Sequence, residues 1–355
     1  ELLNREDPAE TIRYMDEIQA YAERRMRAGI TLLPDGQYTF EDYLDDDGVV
    51  DEPVKIKVTI TISGDTFRAD FTGSSRQVLG PLNARLSAAR ACVYYVCKAV
   101  IDPDLPACAG AYRSVEVYAP EGSILQATYP AAIGNANILT DQRVVDVLLG
   151  ALYSIVPDRV CAACSGEMNL INIGGIDPAT GAYYNYVETY AGGQGAMVDL
   201  DGEDGVHTHL TNTRNAPVEI IERTYPLQVV RYGLIPDTEG AGHRRGGCGM
   251  MRELKCLGDR TLISLGSDRR KFKPWGLEGG QHAEGAHCYV IDTENKSCEI
   301  PTKVNRELSK NVRLRIETPG GGGWGDPKTR NKADLARDVD DGLISPSRAR
   351  GVYGP

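Results

Sequence analysis

No apolar run in this sequence reaches the ~18 residues that a membrane-spanning helix needs, and no charged-then-apolar leader precedes its first helical stretch. A helical membrane protein is therefore not expected, and a soluble, cytoplasmic one is. Basic residues are in the minority: 39 Lys and Arg face 50 Asp and Glu, a formal net charge of −11. That balance counts against nucleic acid or an anionic membrane as the main partner. There is no internal repeat and no low-complexity linker. A disulfide framework is also missing, because the nine cysteines are odd in number and scattered through helix-like and strand-like segments. Reduced thiols are expected. Cys161 and Cys164 in "CAAC" have a spacing that can ligate zinc or cycle as a redox pair, but no second C-x-x-C and no His pair follows at ribbon spacing. They read as plain buried thiols, and no metal ligand is assigned.

What is present bounds the fold. With 355 residues, 41% hydrophobic, the chain can bury one large core or two moderate ones. "DPAE" starts a helix, with Asp7 as cap, Pro8 at the first position and Glu10 closing the box; Ile12, Met15, Ile18, Ala22 and Met26 share one face, and Gly29 marks the stop. That face needs a partner, which is expected to include sequence upstream of Glu1. "VKIKVTITI" alternates as a strand, and Ser63, Gly64 and Asp65 turn it into "TFRADF". Residues 83–100 and "TDQRVVDVLLGALYSIVP", capped by Thr140, read as two central buried helices. From about residue 165 the texture changes to short strands between glycine turns, including a hairpin bearing Tyr183, Tyr184 and Tyr186 and strands at 227–234, 250–265, 286–291 and 312–317. The expected class is α+β, mixed over residues 1–164 with buried helices, β-rich over 165–330, with a helical tail over 331–355.

The glycine-rich stretch "DTEGAGHRRGGCGMMREL" raises the question of a phosphate cradle. A dinucleotide fingerprint or a P-loop needs its glycines between a strand and a helix. Here Gly240, Gly242, Gly246, Gly247 and Gly249 lead into "MMRELKCL", which alternates like a strand, so no helix N-terminus is offered to a phosphate. "TPGGGGWGDP" at 318–327 has the same character.

Taken in order, "LPDGQYTFEDYLDDDG", "FRADFTGSSRQVLGPLNA", "YPAAIGNANILTDQRVVD", "HTHLTNTRNAPVEIIERTYP", "DTEGAGHRRGGCGMMREL", "DRRKFKPWGLEGG" and "TPGGGGWGDPKTR" make the chain resemble the hydantoinase B/oxoprolinase family over essentially its whole length. The resemblance implies a system split in two. An A-type ATPase subunit handles ATP and Mg and phosphorylates a substrate carbonyl oxygen, and the B-type subunit supports attack on the activated group, in a hetero-oligomer. For cyclic amides such as hydantoin, 5-oxoproline or a lactam the outcome is ring opening; for ketones such as acetone or acetophenone it is carboxylation. A non-catalytic scaffold fragment that docks the ATPase is the reading from another class. The resemblance also implies a divalent metal held by His and Asp residues in a segment upstream of this sequence.

Within the chain, the site candidates come from polar density. His207 and His209 in "VHTHL" would project from one face of a strand, as acid/base groups, with Asn212, Asn215 and Glu219 close behind as substrate ligands. Asp70 and Asn83 form a second cluster with glycines nearby, and Arg269 in "SDRRKFKPWG" offers a planar fork to a phosphorylated intermediate. The alternatives are a solvated surface strand, a hydrogen-bonded turn scaffold and ordinary salt-bridged arginines. The missing nucleotide loops lead to the first prediction: calorimetric titration of ATP into this chain alone gives no binding. A micromolar dissociation constant would overturn it.

Overall fold

The computed structural model describes residues 7–354. Asp7 caps α1 (Pro8–Thr31) by accepting from the Ala9 amide, as expected, while Glu10 accepts from Tyr14 Oη. The helix runs two residues past Gly29. That glycine is there for a close approach, since a Cβ would lie 2.5 Å from Ile101 Cγ2. Ala22, Met26 and Ile30 are buried, whereas Ile12, Met15 and Ile18 on the N-terminal half stay about half exposed.

β1 (Gly36–Leu44), β2 (Val54–Ser63), β3 (Thr66–Asp70) and, after α2 (Leu86–Ile101), β4 (Val115–Tyr118) form the first sheet in sequence order. The first three pair antiparallel, and β3 pairs with β4 in parallel. On β2 the expected alternation holds: Val54, Ile56, Val58, Ile60 and Ile62 point into the core. Each such side chain contributes about 1.5–3 kcal/mol of burial. α2 and α3 (Asp141–Leu152) complete this first core.

α3 begins differently from the expectation. Thr140 is itself helical, the last residue of a π-helical turn over Ala136–Thr140, and its hydroxyl donates to Leu82 O instead of capping. The helix continues from that turn, so no free amide waits for a cap. Nearly every side chain of α3 is buried, including Arg143 and Asp146.

The second core lies between two antiparallel sheets. β5 (Leu170–Ile176) and β6 (Tyr183–Thr189) form the expected hairpin. α4 (Val218–Thr224) and β7 (Leu227–Leu234) follow, and the stretch expected as one strand is two, β8 (Met250–Cys256) and β9 (Arg260–Gly266), which part into different sheets. With β10 (His287–Ile291), β11 (Ser297–Ile300), β12 (Lys303–Ser309) and β13 (Arg313–Glu317), the strand orders are β11-β10-β13-β8-β7 and β12-β9-β5-β6. Tyr184 and Tyr186 face this core; Tyr183, one residue off in register, faces solvent. The tail carries α5 (Lys332–Asp340) and a short turn capped by Ser345. The fold is α+β, and no helix among the described residues is long and apolar enough to cross a membrane.

The two glycine-rich stretches meet. Gly240 donates to Gly321 O, Gly321 to Gly247 O, and Gly247 to Gln194 O, at 2.8–2.9 Å. A Cβ on Gly246 would lie 1.8 Å from Gly321 O, so the glycines permit backbone to lie on backbone and cradle nothing.

Asp141, at the start of α3, is buried with Oδ1 unpartnered, and burial pushes its carboxyl up to about 7 from 3.8. Because the folded value exceeds the unfolded one, its contribution is fully present below pH ~4 and is lost as pH rises toward 7. Asp141→Asn, neutral throughout, gains Tm relative to wild type between pH 4 and 7 and levels off above. A pH-independent difference in thermal melts would refute this.

Candidate active site

Tyr95, Ala99 and Val100 of α2, with Leu149 of α3, form one wall of a cavity of about 350 Å³; Arg159, Cys161 and the loop carrying Gln194, Glu203, His207, Thr208 and His209 form the rest. The loop is not the expected strand. After an isolated bridge between Gly192 and Val206 it leaves extended pairing, and His209 takes φ +56°. Both histidines nonetheless line the cavity. A left-handed conformation at a non-glycine residue costs energy that the surroundings must supply, here by packing the ring between two helices. Nδ1 lies 3.3 Å from Tyr95 Oη, and Nε2 lies 3.5 Å from Asp146 Oδ1.

Cys161 and Cys164 complete that corner. Their sulfurs are 3.9 Å apart, and both lie within 4.8 Å of a ring nitrogen of His209. Their loop is fixed by its backbone: Ala162 donates to Ala196 O, Ala163 to Trp275 O and Ser165 to Gly193 O, while Ala163 O accepts from Gly322 and Cys164 Sγ from the Gly195 amide. The glycine seam therefore holds the thiols in place. Hydrogen bonding from Cys161 pulls the Cys164 thiol well down despite burial, while the same contact and burial push Cys161 up. Burial pulls the His209 imidazole down, but Cys164 and Asp146 outweigh it and raise the ring well above its ordinary value. His207 is the opposite case. Half-buried, with Nε2 2.9 Å from Thr213 Oγ1 and Nδ1 unpartnered, it is lowered by burial, which favours the neutral ring.

Behind the cavity runs a buried ionic network. Arg269 reaches Asp42 at 2.8 Å and Asp146 at 2.5 Å; Arg143 and Lys303 reach Asp268 at 3.2 and 2.9 Å. Asp45 accepts from the amides of Arg270, Lys271 and Phe272. Burial and the nearby Asp268 raise its carboxyl to about 6, whereas Lys303 and Arg143 overcome burial to hold Asp268 down at about 2. Gly166, at φ +67°, leaves room for the pair: a Cβ there would lie 2.7 Å from both Arg269 Nε and Asp146 Oδ2.

The remaining candidates lie apart from the cavity. Arg269 is fully buried and its fork is already engaged. Asn83 is fully buried and staples a turn, bonding Val78, Gly80 and Ala132 backbone groups. Asp70 accepts from the Thr72 amide and pairs with Arg68. Asn215 bridges Thr189 O and Tyr232 Oη; Asn212 and Glu219 are exposed. Tyr95, Asp146 and the meeting of Cys161 and Cys164 with His209 were not anticipated from sequence. The one available signal was Arg143 and Asp146 in a helix that, beyond Asp141 and Gln142 of its first turn, is otherwise apolar.

This geometry is a cavity walled by two helices and a histidine loop in an α+β scaffold. A family model described as hydantoinase B/oxoprolinase matches residues 1–327, and the chain belongs to that family. It is 32% identical over 352 residues to the B subunit of a putative D-/L-hydantoinase of Pseudomonas sp. (strain NS671), covering 96% of this chain and 59% of that protein. Its fold matches the crystal structure of the ATP-dependent caprolactamase from Pseudomonas jessenii with a TM-score of 0.89 at 26% identity, over 99% of this chain and 62% of that one. The nucleotide-free acetone carboxylase shares the fold, with a TM-score of 0.79 at 19% identity over 94% of this chain and 51% of that one. The chain spans 54% and 59% of the length of two curated relatives.

Arg269→Met takes from Asp42 and Asp146 the cation closest to each, leaving Arg143 Nε at 3.6 Å and His209 Nε2 at 3.5 Å, and is expected to destabilise the fold by about 3–5 kcal/mol in denaturant titrations. Arg270→Ala, which loses only a part-exposed pair with Glu299, changes stability by about 1 kcal/mol or less. Equal effects would show that the buried network carries no special weight.

Proposed function

We propose that this chain is the B-type part of an ATP-dependent cyclic-amide hydrolase, opening a hydantoin, 5-oxoproline or lactam ring that an A-type ATPase partner has phosphorylated on its carbonyl oxygen. The observation that carries this reading is the cavity of about 350 Å³ with the His207 imidazole in its wall, in a fold that matches an ATP-dependent caprolactamase over 99% of its length. The volume sits at the small end of ligand sites and suits one small ring. His207 takes the proton from water as the oxygen adds to the activated ring carbon. The carbon–nitrogen bond then breaks as the ring nitrogen takes up a proton, leaving an acyl phosphate; a second water hydrolyses it to carboxylate and phosphate, so one ATP becomes ADP and phosphate and two waters are consumed per ring opened. Arg159, at the cavity wall, supplies a cation toward the phosphorylated oxygen.

The half-exposed Ile12, Met15 and Ile18 on α1 give the A-type partner an apolar face to cover. ATP chemistry and nine free thiols suit a cytoplasmic setting. The divalent metal implied by the resemblance would have its ligands outside this sequence, and no step here passes through it.

In the co-purified A and B pair, His207→Asn is expected to cut ring-opening turnover by ~100-fold or more while Tm stays within a few degrees. The wild-type rate falls as pH drops through the depressed range of His207, and the variant lacks that limb. Unchanged turnover in a well-folded variant would remove His207 from the mechanism.

A further inference from the structure

The structure assigns Cys161, Cys164 and His209 as a zinc site, independent of the ring-opening reading and of any metal bound upstream. Three observations converge on it. The two sulfurs are 3.9 Å apart, close to the ~3.8 Å edge that a tetrahedron with Zn–S bonds of ~2.3 Å would have. The sulfurs and a ring nitrogen of His209 lie within 4.8 Å of one another, a compact set of three donors from two distant parts of the chain. Two buried polar atoms at the same spot, His209 Nε2 and Oδ1 of the fully buried Asp146, face each other at 3.5 Å without making a hydrogen bond to each other or to any other group. Buried polar groups are ordinarily satisfied, and each orphan asks for a missing partner.

The ligand chemistry selects the metal. Two soft thiolates with one imidazole suit zinc and disfavour magnesium, manganese or calcium, which prefer oxygen. The donors are also preorganised. Four backbone hydrogen bonds over residues 162–165 and one from the Gly195 amide to Cys164 Sγ fix the thiol loop, and the φ of +56° at His209 aims its ring inward while Tyr95 Oη sits at Nδ1, where a second partner commonly steadies a ligating histidine. Cys161 and His209 both line the cavity, so the fourth coordination position opens toward it, as in zinc sites that keep a place for water or substrate. Asp146 Oδ1 then has a role, as acceptor for a proton of the water in that position.

The test is metal binding by the full chain, freed of metal by chelator under reducing conditions and titrated with Zn²⁺ or Co²⁺ alone. The expected result is one equivalent bound per chain, with Co²⁺ giving thiolate charge-transfer and tetrahedral d–d absorption, and with Zn²⁺ protecting two of the nine thiols from a thiol reagent. Cys298→Ser, at an exposed position, leaves the stoichiometry and spectrum unchanged, while Cys161→Ser with Cys164→Ser abolishes both and His209→Gln weakens binding by at least ~10-fold. The wild-type spectrum decides the case even if a variant misfolds. Absence of the tetrahedral cobalt spectrum, equal binding by the folded double variant, or a Cys161–Cys164 disulfide that forms in preference to metal uptake under reducing conditions would each overturn the assignment. None of these readouts involves turnover, so failure here leaves the ring-opening reading to its own experiment.

Discussion

Arg269 is the residue on which the rest of the structure turns. Its guanidinium is fully buried and holds Asp42 of β1 with one nitrogen and Asp146 of α3 with another. The backbone beside it supplies amides to Asp45, and Asp268 next to it takes Arg143 and Lys303. Three cations thus tie the first sheet, the central helix and the second core together. Ions so deeply buried are worth little as net stabilisation, since desolvation offsets most of their attraction. Their effect is geometric: a shift of one core against the other would leave several charges unpaired at once. The position of Asp146 behind His209, and hence the back wall of the cavity, is set by that constraint.

Some of this was legible in the sequence because it follows from period and turn chemistry. β2 alternates, Gly64 turns it, α2 is apolar nearly all round, and the second half reads as strands between glycines. The failures have physical reasons. Thr140 resembled a cap because its hydroxyl chemistry is right, but a π-helical turn had already supplied the preceding helix. Residues 250–265 looked like one strand because Leu257–Asp259 interrupts the alternation by only a short turn, and that turn moves the chain to a different sheet. His207 and His209 do line one cavity, though the strand expected to place them there does not form.

The site was harder to read than the fold. C-x-x-C spacing carries information about metals only when the other donors are near in sequence, and here the imidazole comes 45 residues after Cys164. Arg269, in a run with another arginine and two lysines, looked like a surface fork for phosphate. Its burial depends on acids at positions 42 and 146, which no local window contains. Long-range ionic pairing is invisible to periodicity, since it leaves no repeat.

The glycine seam also bears on how the protein is made. Its strands of backbone come from residues near 163, 193, 247 and 321, so its closure joins segments far apart along the chain. Contacts of such separation form late, after the loops between them have given up their freedom. The thiol loop is tied to that seam, so the corner at the cavity depends on contacts between segments far apart along the chain and on no local one.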